Sequence, residues 1–167
     1  MKKLTLLIAL LLVVGLSTNA FAQASATATA TATIVAPITI SKTIDMNFGN
    51  VATNGAIGTV ILTPAGGRSV TGGATLVGVA SVAAASFNVG GQGTYTYAIT
   101  LPAGPITLTG VTAGVTAGTF TSTPSGTGAL TAGAQTLLVG ATLNLPATPV
   151  TAGAYTSAAF TVTVNYN

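Results

Sequence analysis

Very few side chains in this sequence have the chemistry of a catalytic or metal site. The chain has no histidine and no cysteine, and its single carboxylate is Asp45. These absences remove the common metal ligands, the thiol nucleophile and the usual general base, and one carboxylate cannot form the acid–base pair of a glycoside hydrolase. Lys42 is too close to Ser41 in sequence to face it across a strand and activate it. We therefore predict no catalytic residue, no metal site and no cofactor, and we expect that the protein is not an enzyme.

Two glycine-rich stretches have the composition of phosphate-binding loops. They are Gly90-Gly91-Gln92-Gly93 and Gly126-x-Gly128. Neither lies between a predicted strand and a predicted helix, and neither is followed by a lysine. We interpret both as hairpin turns.

Charged residues are rare. Lys2 and Lys3 lie at the N-terminus, and the only other charged side chains are Lys42, Asp45 and Arg68. Because no basic patch exists, nucleic-acid binding is excluded. Asp45 and Arg68 either pair across strands or are solvated separately. A surface with so little charge favours association, so we expect an assembled or surface-attached protein, with a dilute, neutral secreted domain as the alternative.

Residues 1–22 have the parts of an export signal. Two lysines precede the apolar run Leu4 to Leu16, and Ala20-Phe21-Ala22 is a small-x-small cleavage site before Gln23. The apolar run is shorter than the roughly 20 residues that a membrane span needs. We predict a signal-peptide helix, cleavage between Ala22 and Gln23, and no membrane span after processing. The expected route is export through the inner membrane to the periplasm, then to the cell surface or the extracellular space.

The next stretch alternates between small apolar and hydroxyl side chains. The apolar positions are Ala24, Ala26, Ala28, Ala30, Ala32 and Ile34, and the residues between them are serine and threonine. A period of two predicts a strand with one apolar and one polar face. We predict an N-terminal extended strand over residues 23–35 and a folded domain over residues 36–167. The strand is a candidate donor to a neighbour's sheet, the domain's own first strand, or a disordered leader.

The rest of the sequence consists of short apolar runs separated by Gly, Pro and Asn. Gln135 to Leu145 places the odd-numbered residues from Leu137 to Leu145 on one face, and Asn54-Gly55 is predicted to be a turn. About ten such strands, with no helix, predict an all-β antiparallel sandwich or barrel. The alternation of apolar and polar residues favours two sheets packed face to face.

Five blocks of sequence carry a family resemblance: Ala26–Ile40, Asp45–Gly49, Leu62–Pro64, Phe120–Gly128 and Phe160–Tyr166. They resemble an uncharacterised family of exported bacterial β-domains, the domain of unknown function forty-four-oh-two. The blocks extend over essentially the whole chain after the signal peptide. This resemblance implies a β-domain but no function.

A weaker resemblance rests on Phe48-Gly49 and on the C-terminal residues Phe160, Val162, Val164 and Tyr166 before Asn167, with Gly153 upstream. These features are similar to those of chaperone–usher pilins and their spore-coat-U-like relatives. The resemblance implies an immunoglobulin-like sandwich that lacks one strand. A periplasmic chaperone completes such a sandwich first, and the next subunit's N-terminal extension then replaces it. The C-terminal run would be the assembly strand that contacts the chaperone, and Ala24 to Ile34 would be the donor.

These observations lead us to expect a secreted structural subunit of a surface fibre, pilus-like appendage or extracellular matrix. Its expected partners are copies of itself or related subunits. The alternative is a self-contained, monomeric surface domain that binds a glycan or a protein through its loops.

Overall fold

The computed structural model describes residues 22–78 and 81–167. The strands are β1 (Thr39–Ile44), β2 (Val51–Leu62), β3 (Arg68–Leu76), β4 (Ala85–Gly90), β5 (Thr96–Thr100), β6 (Ile106–Thr109), β7 (Thr116–Thr123), β8 (Thr127–Ala129), β9 (Ala134–Leu145), β10 (Thr156–Ser157) and β11 (Thr163–Tyr166). In this part of the chain there is no helix of the length and apolarity needed to cross a membrane. The predicted signal peptide lies outside the described residues except for Ala22.

The strands form two antiparallel sheets. The larger has eight strands, with the order β1-β4-β9-β7-β6-β10 and with β2 and β3 attached to β9 through β2. The smaller has three strands in the order β11-β5-β8. The predicted all-β antiparallel fold is therefore confirmed.

The central strand of the larger sheet is β9. Along one edge its first half pairs with β4 and its second half pairs with β2, while its other edge pairs with β7. The odd-numbered residues of β9 point to the interior, as their alternation predicted: Leu137, Val139, Ala141, Leu143 and Leu145 are all buried. One strand thus supplies a continuous apolar row to the whole interior.

The interior is divided into two apolar clusters along that row. The first cluster contains Leu137 and Val139 of β9, which pack with Tyr97 and Val164 of the smaller sheet. The second contains Leu143 and Leu145 of β9 together with residues of β2, β3 and the strand-poor segment 146–162. The smaller sheet therefore covers the first cluster, and irregular chain covers much of the second.

A buried tyrosine provides a polar link between the two sheets. Tyr97 is 0% exposed, and its hydroxyl donates a hydrogen bond to Gln135 Oε1 at 2.7 Å. The same oxygen accepts a hydrogen bond from the backbone N–H of Ala129 at 3.0 Å. Burial raises the pKa of Tyr97 above its ordinary value of about 10.

This raised pKa predicts a loss of stability in alkali. Above about pH 10 the unfolded chain releases the phenolic proton while the folded chain retains it, so the free energy of unfolding falls as the pH rises. The contribution is complete below that pH and is lost as the pH passes through the raised value. Urea unfolding between about pH 9 and about pH 11 measures the effect. The variant Tyr97→Phe is expected to flatten this pH dependence, and an unchanged slope would contradict the assignment.

The predicted turn at Asn54-Gly55 lies inside β2. Residues 54–57 stand opposite the single residue Gly73 of β3, with regular pairing on both sides. Asn54 Oδ1 accepts the N–H of Ala56 at 3.0 Å, and Gly55 has a φ of 87°. The hydrogen bond and the backbone conformation of a turn are thus present. They form a large bulge in β2 instead of a hairpin, because the residues on both sides pair with the same strand, β3.

Candidate functional site

The N-terminal segment, Ala24 to Ile34, lies outside the described sheets. The chain divides between Ile34 and Val35, and Val35–Asn167 form a compact unit. All residues from 22 to 34 are exposed and none belongs to a strand, and Ile34 is 96% exposed. The apolar face predicted from the alternation is therefore exposed in the described part of the chain. Donation of the segment to another chain stays a prediction.

The C-terminal residues expected to form an assembly strand lie together on the first cluster. Val164 and Tyr166 belong to β11, while Phe160 and Val162 precede it. Val162 and Val164 are buried, and the ring of Phe160 lies 5.2 Å from that of Phe120. Because these side chains pack in the chain's own interior, the backbone is the part of this run left for a partner.

One edge of β11 is open within the described chain. There β11 pairs with β5 and with no second strand. Asn167 N donates to Thr96 O at 3.3 Å. In this antiparallel pair the backbone N–H and C=O groups of alternate residues point toward the partner, so those of the odd-numbered β11 residues point toward β5. The N–H and C=O groups of Val164 and Tyr166 therefore point away from β5. Such an edge can accept an added strand.

A cavity of about 1010 Å³ lies between the two clusters. Its apolar lining includes Phe87 of β4, Val115, and Leu143 and Leu145 of β9. The residues of the covering segment 150–160 are mostly small and exposed, and they contain only the two-residue strand β10. This half of the interior has one layer of regular sheet and an incomplete second layer.

The charged residues near the cavity satisfy one another or the backbone. At the rim, Lys42 Nζ lies 2.6 Å from Asp45 Oδ1, with both side chains exposed. Arg68 donates to the carbonyl oxygens of Phe48 at 2.6 Å and Asn50 at 3.4 Å. The expected pair of Asp45 with Arg68 is therefore wrong. Asp45 is exposed to solvent, as the alternative expected, but it pairs with Lys42, while Arg68 binds the backbone. Arg68 instead holds the loop that follows β1 against the start of β3.

A family model described as Domain of unknown function (DUF4402) matches residues 38–166. The chain belongs to this family. The match contains all eleven strands of the DUF4402 domain and the cavity-lining residues, and it excludes the N-terminal segment. No curated protein and no solved structure matches the chain. The resemblance to chaperone–usher pilins stays a prediction.

The described part of the DUF4402 domain holds no group of three or more His, Cys, Asp or Glu side chains that could bind a metal ion. The surfaces available for binding are a partly apolar cavity and an open strand edge in the domain, and the exposed alternating segment that precedes the domain in sequence. Sequence reasoning found the segment and the C-terminal run but missed the cavity. The only signal for it was the run of small residues without alternation between Pro149 and Phe160.

Proposed function

We propose that this protein is a secreted structural subunit of a surface fibre, pilus-like appendage or extracellular matrix, and that it assembles by strand addition. The observation that carries the proposal is the N-terminal segment. It has a strand's alternation over eleven residues, yet every residue is exposed and unpaired in the described chain. A segment with this pattern buries its apolar face only when it joins a sheet.

The proposed acceptor is the cavity of a second copy. The N-terminal segment carries no charge, and the two charges at the cavity rim already pair with each other. Its alanine side chains are small enough to enter a cavity partly covered by segment 150–160, while its threonines face outward. Alanine buries little apolar area, so main-chain hydrogen bonds must supply much of the affinity.

The connection of the segment to the domain favours a neighbour's cavity over its own. The segment joins the domain at Val35, beside Tyr166, whereas the cavity lies beside Phe160. Phe160 and Tyr166 are six residues apart, which is at most about 20 Å. To reach its own cavity past Phe160, the segment would spend up to about half of its roughly 36 Å in doubling back. It would also have to reverse near Ala36, which Pro37 restricts to an extended conformation.

Insertion into a neighbour gives a head-to-tail contact. The donor surface and the acceptor surface differ, so each subunit can bind one copy at each end and the chain of subunits need not close. The proposed partners are copies of this protein or related subunits. A periplasmic chaperone that covers the apolar part of this cavity before assembly also fits the proposal, consistent with a route from the periplasm to the cell surface.

The cavity also favours a second candidate function. A volume of about 1010 Å³ lies at the upper end of the range for small-molecule sites, and its rim carries the amides of Asn47 and Asn50. A self-contained surface domain could bind a glycan or a protein segment there. In that case the N-terminal segment has no part in assembly and the protein is a monomer.

Size-exclusion chromatography of residues 23–167 distinguishes these functions. The structural-subunit proposal predicts species larger than a monomer that grow with concentration and appear as linear particles by electron microscopy. Because so few charges are present, their amount should change little between about 0.01 M and 1 M salt. A single monomer peak at every concentration, together with glycan binding, would contradict the proposal and favour the alternative.

A further inference from the structure

The hydroxyl of Tyr166 joins the end of the domain to its beginning. It accepts a hydrogen bond from the backbone N–H of Gln92 at 2.6 Å and donates one to the carbonyl of Ala36 at 3.0 Å. The ring of Tyr166 lies 5.7 Å from that of Tyr95, which supports it from the side. The last residue of β11 is thus hydrogen-bonded to Ala36, which lies two residues after Ile34, the end of the N-terminal segment.

Both polar groups of the Ala36 backbone are held. Its carbonyl accepts from Tyr166, and its N–H donates to Gln92 Oε1 at 3.4 Å. Pro37 follows, and a proline restricts the preceding residue to extended conformations. Two hydrogen bonds and one proline therefore fix the backbone two residues after Ile34.

A glycine makes room for this arrangement. A side-chain carbon at Gly91 would clash with the Tyr166 hydroxyl and would lie 2.9 Å from Leu130 Cδ1. The backbone of Gly91 is itself fixed, because its N–H donates to Gly133 O at 2.8 Å. The φ of Gly91 lies outside the left-handed region, so its backbone conformation does not require glycine. Glycine is required here because a side chain would occupy the space of the Tyr166 hydroxyl.

We propose that Tyr166 is a positioning residue that clamps Ala36 and ties the start of the compact unit to β11. This inference rests on the proposed function for its consequence: in a fibre, the clamp holds the backbone from which the donor segment extends. Pull on the segment would then reach β11 through the Tyr166 hydroxyl as well as β1 through the backbone. Without the clamp the chain would be free to move at residues 35–38.

The test measures the position of Ala36 within the single subunit. Because the chain has no cysteine, the changes Ala36→Cys and Thr75→Cys introduce the only two labelling sites, both at exposed positions. Spin-labelled residues 23–167, diluted in unlabelled protein, should give a narrow distance distribution by pulsed electron paramagnetic resonance. Tyr166→Phe removes only the hydroxyl and should abolish the narrow maximum. The Gln92 amide should also exchange about fivefold faster, as expected for one lost hydrogen bond.

Two further variants separate the clamp from general loosening. Gly91→Ala retains the Tyr166 hydroxyl but pushes it out of position, and it should broaden the distance distribution in the same way. Tyr97→Phe removes a different hydroxyl hydrogen bond from the same sheet, the one to Gln135, and should leave the distribution narrow. A broad distribution in the unaltered protein, or a narrow one in Tyr166→Phe and Gly91→Ala, would overturn the clamp. These distances are read within one subunit, so failure of the clamp is separate from failure to polymerise.

Discussion

Removal of residues 23–34 is expected to abolish assembly and leave the domain folded. The compact unit begins at Val35 and the first strand at Thr39, so the deletion removes no described strand and no buried side chain. In the proposed mechanism it removes the whole donor. Size-exclusion chromatography and electron microscopy should therefore show a monomer where the longer protein forms polymers. Urea unfolding should give a midpoint close to that of the longer protein.

A pair of charge-placement variants tests whether the apolar face is what matters. Ala28→Lys with Ala30→Lys places two charges on the alanine face, and Thr29→Lys with Thr31→Lys places the same two charges on the other face. Burial of an unpaired ammonium group costs several kcal/mol, so the first variant should fail to assemble. The second should assemble nearly as well as the unaltered protein. Equal behaviour of the two variants, or unchanged polymers after the deletion, would exclude strand donation.

A synthetic peptide with the sequence of residues 24–34 separates donor from acceptor. It should bind the shortened domain and protect amides of the cavity-lining segment 150–160 from hydrogen exchange, among them those of Ala152 and Ala158. Protection confined to β11 would place the acceptor at the open edge instead of the cavity. Absence of binding would remove the acceptor altogether.

Leu137→Ala should cause the largest loss of stability of any single leucine truncation in β9. Leu137 is 0% exposed and packs in the first cluster between the two sheets. Truncation of a buried leucine costs about 2–5 kcal/mol, because it removes apolar burial and leaves a cavity. The free energy of unfolding from urea titration measures the loss. Since the free energy of unfolding of a domain is about 5–15 kcal/mol, this change alone removes a large share of its stability.

The neighbouring leucine is a matched control. Leu138 is in the same strand and undergoes the same change of side chain, but it is half-buried and lies on the opposite face of the larger sheet. Leu138→Ala should therefore cost about 1 kcal/mol or less, in the range of partly exposed positions. Similar losses for the two variants would mean that the inward-facing row of β9 is misassigned.

Strands in which apolar and polar side chains alternate regularly could be predicted from the sequence. Gln135 to Leu145 was predicted as one strand with its odd residues inside, and β9 spans Ala134–Leu145 with those residues buried. β5 lies within the alternating run Thr94 to Leu101, and its Tyr97 belongs to the first cluster. These strands were predictable because burial on one face imposes a period of two on the sequence itself.

Features that depend on distant partners were not predictable. Asn54-Gly55 has the composition of a hairpin turn, and only the pairing of β2 with β3 on both sides makes it a bulge. Arg68 binds the carbonyls of Phe48 and Asn50, which no local pattern marks as its partners. The cavity arises where segment 150–160 fails to form a full strand over β9. Small residues without alternation carry no signal about what they cover.

The position of β9 has a consequence for how a subunit yields. Its first half supports one cluster and its second half the other, and β7 pairs along both halves. If one half of the domain unfolds, β9 loses hydrogen bonds and contacts, and the other half depends on the same strand. The domain should therefore melt as one cooperative block instead of fraying in stages. In the proposed filament, a subunit under tension should therefore unfold in a single step instead of lengthening gradually.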